Sequence, residues 1–200
     1  MEMTDNNLNI WMTIPTGTRR DYLADIIKDS GIPPERIVIV HTVESEPISE
    51  VHNIWDLGEI NIQRWWNKGI DYAAERGAEY VAVLNDDVKI NDVLALTTLA
   101  YVCKDASMAV CVNVLKNGAL LRNSGHCFVL NLKDPIRPDE RFRWWYGDND
   151  LYMQAIRLKG ITGAVVPIEH IEPNKLTSEN PELMKLTEQD KIEYQKKWFS

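Results

Sequence analysis

The side chains with chemistry to offer cluster at three points of this 200-residue chain. The first is Asn85-Asp86-Asp87, reached where the apolar run Tyr80–Leu84 stops. Side chains one residue apart point the same way on an extended chain, so Asn85 and Asp87 can share one cation. The same residues also suit a polar turn that caps a following helix. The second point is Asp148-Asn149-Asp150-Leu151, where a helix begins. Carboxylates there either complement the positive end of the helix dipole or do chemistry. The third is His170, behind a short apolar strand, where a core or surface histidine is the plain alternative. Between the first two, directly ahead of Asp148, lie Arg137, Arg141, Arg143, Trp144, Trp145 and Tyr146, outside any helical or strand period. Aromatic faces stack on sugar rings and on bases, so these residues predict an acceptor platform with anionic preference. A lid that packs its tryptophans into the core is the competing reading.

These groups need elements to hold them. Tyr80–Leu84 is short, β-prone and uncharged, which predicts a strand buried on both faces. Open α/β sheets bind their ligands at the carboxyl ends of such strands. Leu8–Ile14 and Arg36–Val43 are predicted strands. Between them Arg19–Ser30 is a helix with Tyr22, Leu23, Ile26 and Ile27 on one face, stopped by Gly31 and Pro33-Pro34. That β-α-β order predicts parallel strands with a right-handed crossover. Glu44–Glu59 reads as an acidic loop containing Trp55. Asn61–Arg76 is a helix whose apolar stripe includes Ile62, Trp65, Trp66, Gly69, Ile70 and Ala73, with at least one tryptophan in the core. Asn91 or Asp92 caps a helix burying Val93, Leu96, Leu99, Ala100 and Cys103. Met108–Val114 and His126–Asn131 are strands, with Asn117-Gly118 a turn between them.

Leu132–Gly147 has no period, and so long a structureless stretch is usually a functional loop or lid. From Asp148 or Asn149 a helix points Leu151, Ala155 and Leu158 inward and ends at Gly160. Ala164–Ile168 is the last strand. Asn180-Pro181 opens a tail of one or two helices reaching Trp198-Phe199, with Thr187 and Asp190 as a capping pair for the last.

The bulk properties fit one soluble globular domain, 44% hydrophobic and 26% charged. No apolar run approaches the roughly 20 residues of a membrane span, and the polar first residues do not read as a secretory leader. Cys103, Cys111 and Cys127 form no CxxC pair and sit in apolar company, which predicts buried free thiols and a cytoplasmic, reducing location. A net charge of −8 argues against broad non-specific nucleic-acid binding and leaves a local basic patch open.

The order of these features resembles the GT-A nucleotide-sugar glycosyltransferases, particularly the inverting, rhamnosyltransferase-like members of their largest family. The matching pieces are Asn67-Lys68-Gly69-Ile70, Val83-Leu84-Asn85-Asp86-Asp87-Val88, Asp148-Asn149-Asp150-Leu151 with Arg157 and Gly160, and His170. The resemblance implies a Rossmann-like α/β fold with a mostly parallel mixed sheet flanked by helices. It implies one domain over residues 1–200: a nucleotide-sugar half over about 8–100, an acceptor half over about 101–178 and a helical extension over 179–200.

Asn85-x-Asp87 looks like the family's DxD motif in an Asn-first form, and His170 like its late metal ligand. Together they imply Mg²⁺ or Mn²⁺ against the diphosphate of a nucleoside-diphosphate sugar donor. Asp148 resembles the general base, with Asp150 orienting the site or taking that role if the alignment shifts by two residues. Pro15, Thr16, Arg19, His41, Asn67 and Asp86 fall where the family meets its donor, although His41 replaces a common Asp. Arg143, Trp144 and Trp145 fall on the acceptor side. The acceptor is a hydroxyl on a saccharide, a small metabolite, a protein or a modified DNA base. A nucleotidyltransferase with a similar nucleotide-binding half and a non-catalytic nucleotide-sugar binder are the competing functions.

Overall fold

The computed structural model describes residues 8–18, 20–114, 120–122, 125–171 and 175–200. The predicted turn at Asn117-Gly118 and the donor residue Arg19 lie outside them. Strands β1 (Ile10–Thr16), β2 (Ile37–His41) and β4 (Tyr80–Leu84) are buried along their whole length. They pair in parallel, with β1 between the other two, as uninterrupted apolar runs require. Helix α1 (Leu23–Asp29) makes the crossover from β1 to β2.

Alternation along β1 divides the core. Ile10, Met12 and Ile14 join the cluster containing Leu23 and Ile26 of α1, while Trp11 joins the cluster under α2 (Ile62–Ala74). In α2 both Trp65 and Trp66 are buried, and Trp66 meets Phe128 edge to face at 5.1 Å. Asn61 caps α2 by accepting from the backbone N–H of Arg64 at 3.0 Å. The three thiols are fully buried, and burial pushes Cys103 up to about 12 and raises Cys111 and Cys127.

The acidic 44–59 stretch, expected as loop throughout, contains a fourth parallel strand, β3 (His52–Trp55), beside β2. It is a partly exposed edge strand of mixed polarity, so it lacks the apolar run that marks its neighbours. Its polar side chains are used locally: the His52 ring stacks on Trp11 at 5.7 Å and meets the Tyr72 hydroxyl at 2.9 Å.

Beyond β4 the chain turns through Asn85–Asp87 into β5 (Val88–Ile90), then forms α3 (Ala95–Val102) and β6 (Met108–Val114). Asp92 accepts from the N–H of Leu94 at 2.9 Å ahead of α3. Leu96, Leu99, Ala100 and Cys103 are buried as predicted, but Val93 is 56% exposed because it precedes the helix and does not share its face. After β7 (Leu120–Arg122), strand β8 (Cys127–Asn131) inserts antiparallel against β4, opposing Cys127 to Leu84.

Helix α4 (Gly147–Ile156) buries Leu151 and Ala155, whereas Leu158 lies past its end and is exposed. The single strand expected at Ala164–Ile168 is two. Strand β9 (Ile161–Ala164) runs parallel to β6, and β10 (Ile168–His170) pairs antiparallel with β5 in a separate two-stranded sheet. A short α5 (Lys175–Glu179) leads to α6 (Pro181–Phe199). Asn180 caps α6 by accepting from the N–H of Glu182 at 3.0 Å.

The tail is therefore one helix, and Thr187 and Asp190 do not cap it. Thr187 donates to the carbonyl of Leu183 within α6, and Asp190 reaches the 132–146 loop. Its carboxylate accepts from the backbone N–H groups of Arg143 at 3.0 Å, Trp144 at 2.7 Å and Trp145 at 2.8 Å. Capping and loop anchoring use the same side-chain chemistry, and only tertiary packing separates them.

Two stability outcomes follow from this packing. A Cβ at Gly69 would run into the Thr13 side chain, so Gly69→Ala should cost about 1–3 kcal/mol in urea denaturation. Asp190→Ala strands three loop N–H groups and should cost about 3 kcal/mol in the same assay, with altered near-ultraviolet dichroism from Trp144 and Trp145. Asp190→Asn keeps one carbonyl acceptor and should lose less. Unchanged midpoints and spectra would refute the anchoring role.

Candidate active site

A cavity of about 360 Å³ opens at the carboxyl ends of β1 and β4. Pro15 and Asn85–Asp87 form its floor. Ile62, Gln63 and Trp66 of α2 line one wall, and Gly125 with His126, just ahead of β8, line another. Trp144, Trp145, Tyr146, Asp148 and Asn149 face it from the loop and the start of α4, with Leu176 and Thr177 of α5 above.

At its acidic end, β5–β10 pairing sets His170 opposite Val88, and Ile171 donates its N–H to the carbonyl of Asp87 at 2.9 Å. The His170 Nε2 and the Asp87 carboxylate consequently meet at 3.1 Å. Thr16 donates to the Asp86 carboxylate at 3.0 Å, and the backbone N–H of Asn85 donates to the carbonyl of His126 at 3.0 Å. The extended geometry expected for Asn85–Asp87 is replaced by a turn, so Asp86 faces the same cavity instead of the opposite side.

The cavity holds Asp86, Asp87 and Asp148, and among the described residues no Lys or Arg lines it. A diphosphate could enter such a place only with its charge offset, which fits a divalent cation. Asp87, His170 and the Asn85 amide form a partial donor set. No group of three or more His, Cys, Asp or Glu side chains among the described residues makes a metal cage.

Asp148, which also lines the cavity, lies in the first turn of α4. Tyr146, directly before that helix, has φ of 63°, an uncommon left-handed conformation for a non-glycine. The Asp190 anchor on the three preceding residues and the bond from the Asp150 N–H to the Tyr146 carbonyl at 2.8 Å hold it there. Trp144 packs against the core, donates to Thr177 at 2.9 Å and also lines the cavity. Trp145 lines the cavity while remaining 38% exposed.

Several expected site residues stand elsewhere. Asp150 is fully buried and absent from the cavity wall. It accepts from Trp198 Nε1 at 2.8 Å and Gln154 at 2.7 Å, and pairs with Lys197 at 2.5 Å. His41 is fully buried under Trp55, with its ring nitrogens on Asn53 at 2.7 Å and Ser45 at 2.9 Å. Burial lowers its pKa, opposed by the Asn53 hydrogen bond. Asn67 donates to Pro138 and Glu140, tying α2 to the long loop. Arg143 is held by Glu59 and the Ile60 carbonyl, Arg141 by Asp139, and Arg137 pairs with Asp71. None of these arginines lines the cavity, so the basis for an anionic acceptor preference is removed.

Two cavity residues escaped the sequence reading. His126 is fully buried, and its pKa is pushed down to about 4, chiefly by burial and then by His170, so the ring is neutral near pH 7. It precedes an apolar strand, a signal too common to single it out. Gln63 is a polar residue on the buried stripe of α2, three positions before Trp66, and that misplacement was the available clue.

No known protein family and no curated protein matches the chain in sequence. Its architecture is shared with solved structures. The mannosyltransferase PcManGT from Pyrobaculum calidifontis, in complex with GDP-Man and Mn²⁺, aligns with a TM-score of 0.60 at 11% identity, over 78% of this chain and 55% of that one. The 1–349 portion of TarS from S. aureus aligns with a TM-score of 0.62 at 12% identity, over 90% and 64%. A putative nucleotide-diphospho-sugar transferase from Desulfovibrio desulfuricans aligns with a TM-score of 0.51 at 9% identity, over 94% and 98%. This chain thus spans just over half to two thirds of the first two. The likeness is one of fold: a GT-A-like mixed α/β sheet, mostly parallel and flanked by helices.

Proposed function

We propose that the chain is a metal-dependent, inverting glycosyltransferase moving a sugar from a nucleoside-diphosphate sugar to a hydroxyl acceptor. One observation carries this reading: one cavity in a GT-A-like fold is lined by both the Asp87–His170 pair and Asp148. The Mn²⁺ and GDP-Man bound to the Pyrobaculum enzyme support the same assignment of metal and donor class. Asn85, Asp87 and His170 are the residues that would hold Mg²⁺ or Mn²⁺, and the ion would supply the positive charge that a departing diphosphate needs.

Asp148 is the general base. It takes the proton of the acceptor hydroxyl as that oxygen bonds to the anomeric carbon. The bond from that carbon to the diphosphate oxygen breaks on the opposite face, inverting the centre. Asp150 has a supporting role, since its carboxylate secures α6 against α4. Pro15, Thr16 and Asp86 serve the donor, while Trp144 and Trp145 form an aromatic face for the acceptor. Both the donor half and the acceptor half of the chain contribute to this one cavity.

Thermal shifts with UDP, GDP, dTDP and their sugars, with and without Mn²⁺, test the donor assignment. At least one pair should stabilise the protein in a Mn²⁺-dependent way, and stabilisation by none would refute it. Asp148→Asn should lose at least about 100-fold in turnover while keeping donor affinity. Product mass supplies the class: gain of a hexose or deoxyhexose is expected, and gain of a nucleotide would overturn it.

A further inference from the structure

The cavity wall carries buried polar groups with no hydrogen-bond partner among the described residues. His126 is 0% exposed, and neither Nδ1 nor Nε2 has a hydrogen-bond partner. Gln63 is 1% exposed, and neither atom of its amide is paired. Both residues line the cavity. Folded proteins rarely leave such groups unsatisfied unless a ligand or function answers for them.

Their placement brackets one spot. The His126 ring lies against His170, centroids 5.1 Å apart and planes 16° from parallel, and His170 in turn meets Asp87. Gly125, directly before His126, is so near Asp148 that a Cβ on it would stand 3.2 Å from Oδ2. Gly147, directly before Asp148, is packed against the Gln63 amide closely enough to leave no room for a Cβ. Through Gly125 and Gly147, His126 and Gln63 are tied to the surroundings of Asp148, and His126 also to His170. In a displacement at an anomeric carbon the leaving and attacking oxygens lie on opposite sides of the sugar, so a sugar set between the Asp87–His170 pair and Asp148 would lie beside these two residues.

We propose that His126 and Gln63 form the subsite for the transferred sugar, each pairing with a sugar hydroxyl. The proposal rests on the glycosyltransferase reading and assigns residues to the part of the donor that leaves. An imidazole and a primary amide can each both donate and accept. A hydroxyl complements either kind of atom. Phosphate oxygens would answer only the donors, and a cation only the lone pairs.

Calorimetric titration in Mn²⁺ of UDP against UDP-glucose, and of GDP against GDP-mannose, tests this on wild type, His126→Phe and Gln63→Leu. The variants should bind UDP and GDP within about twofold of wild type and lose about tenfold for the nucleotide sugar that wild type prefers. Without ligand, their melting temperatures should equal or exceed that of wild type, because each replaces an unpaired polar group by an apolar one. His126→Asn, which retains a donor and an acceptor, should recover part of the sugar affinity.

Equal losses for nucleotide and nucleotide sugar would overturn the proposal in favour of phosphate or metal contacts. A fall of several degrees in ligand-free melting temperature would overturn it in favour of a structural role. Unchanged sugar affinity in both variants would overturn the subsite alone. Failure of wild type to bind any of the four probes, or dTDP and its sugars, would instead bring down the glycosyltransferase reading beneath it.

Discussion

Three consecutive backbone N–H groups, those of Arg143, Trp144 and Trp145, converge on the Asp190 carboxylate. The loop they belong to has no ladder of its own, and buried backbone donors must be paired somewhere. A carboxylate from α6 pairs all three, and much of the cavity wall follows. With those residues held, Tyr146 stays in its left-handed conformation, α4 starts at Gly147, and Asp148 is presented to the cavity. The dependence is mutual. Helix α6 buries only Leu183 and Asp190, and leaves Met184, Ile192 and Phe199 exposed. Its docking combines the Asp190 anchor and the Asp150 contacts to Lys197 and Trp198 with packing of the Tyr194 ring on Phe142 and Tyr146.

The acidic end follows a different logic. Asp87 and His170 are 83 residues apart and meet because two three-residue strands, β5 and β10, pair antiparallel. Neither strand is long enough to be independently stable, and both lean on the core through Val88, Ile90 and Ile168. Insertion of β8 beside β4 similarly brings His126 level with Asn85. The result gathers three carboxylates around one space. Like charges so arranged repel, and a bound cation would offset them.

The long apolar runs were legible in the sequence because burial on both faces leaves a composition signal that needs no context. Tyr80–Leu84 and Met108–Val114 have the bounds expected of them, and the Asn180 cap and Pro181 start mark α6 correctly. The edge strand His52–Trp55 was invisible, since a short half-exposed strand beside a neighbour needs only the neighbour's backbone. Val93 and Leu158 were assigned inward by continuing a helical period beyond the true helix ends, where the geometry no longer applies.

The sequence by itself determined the α/β order, the buried strands and the cluster of acids that mark a site at strand ends. It determined which side chains are capable of chemistry. Tertiary structure alone decided which of them share a space: Asp148 enters the cavity while Asp150, two residues on, turns to Lys197, and His41 is consumed by Asn53 and Ser45. It likewise made a loop anchor of Asp190, whose composition and position read as a helix cap. The reason is that a polar side chain carries no trace in the sequence of the partner that will satisfy it. Distant pairings such as Asp87 with His170, or Asp190 with the 143–145 backbone, are chosen only when the sheet and helices bring those groups within hydrogen-bond reach.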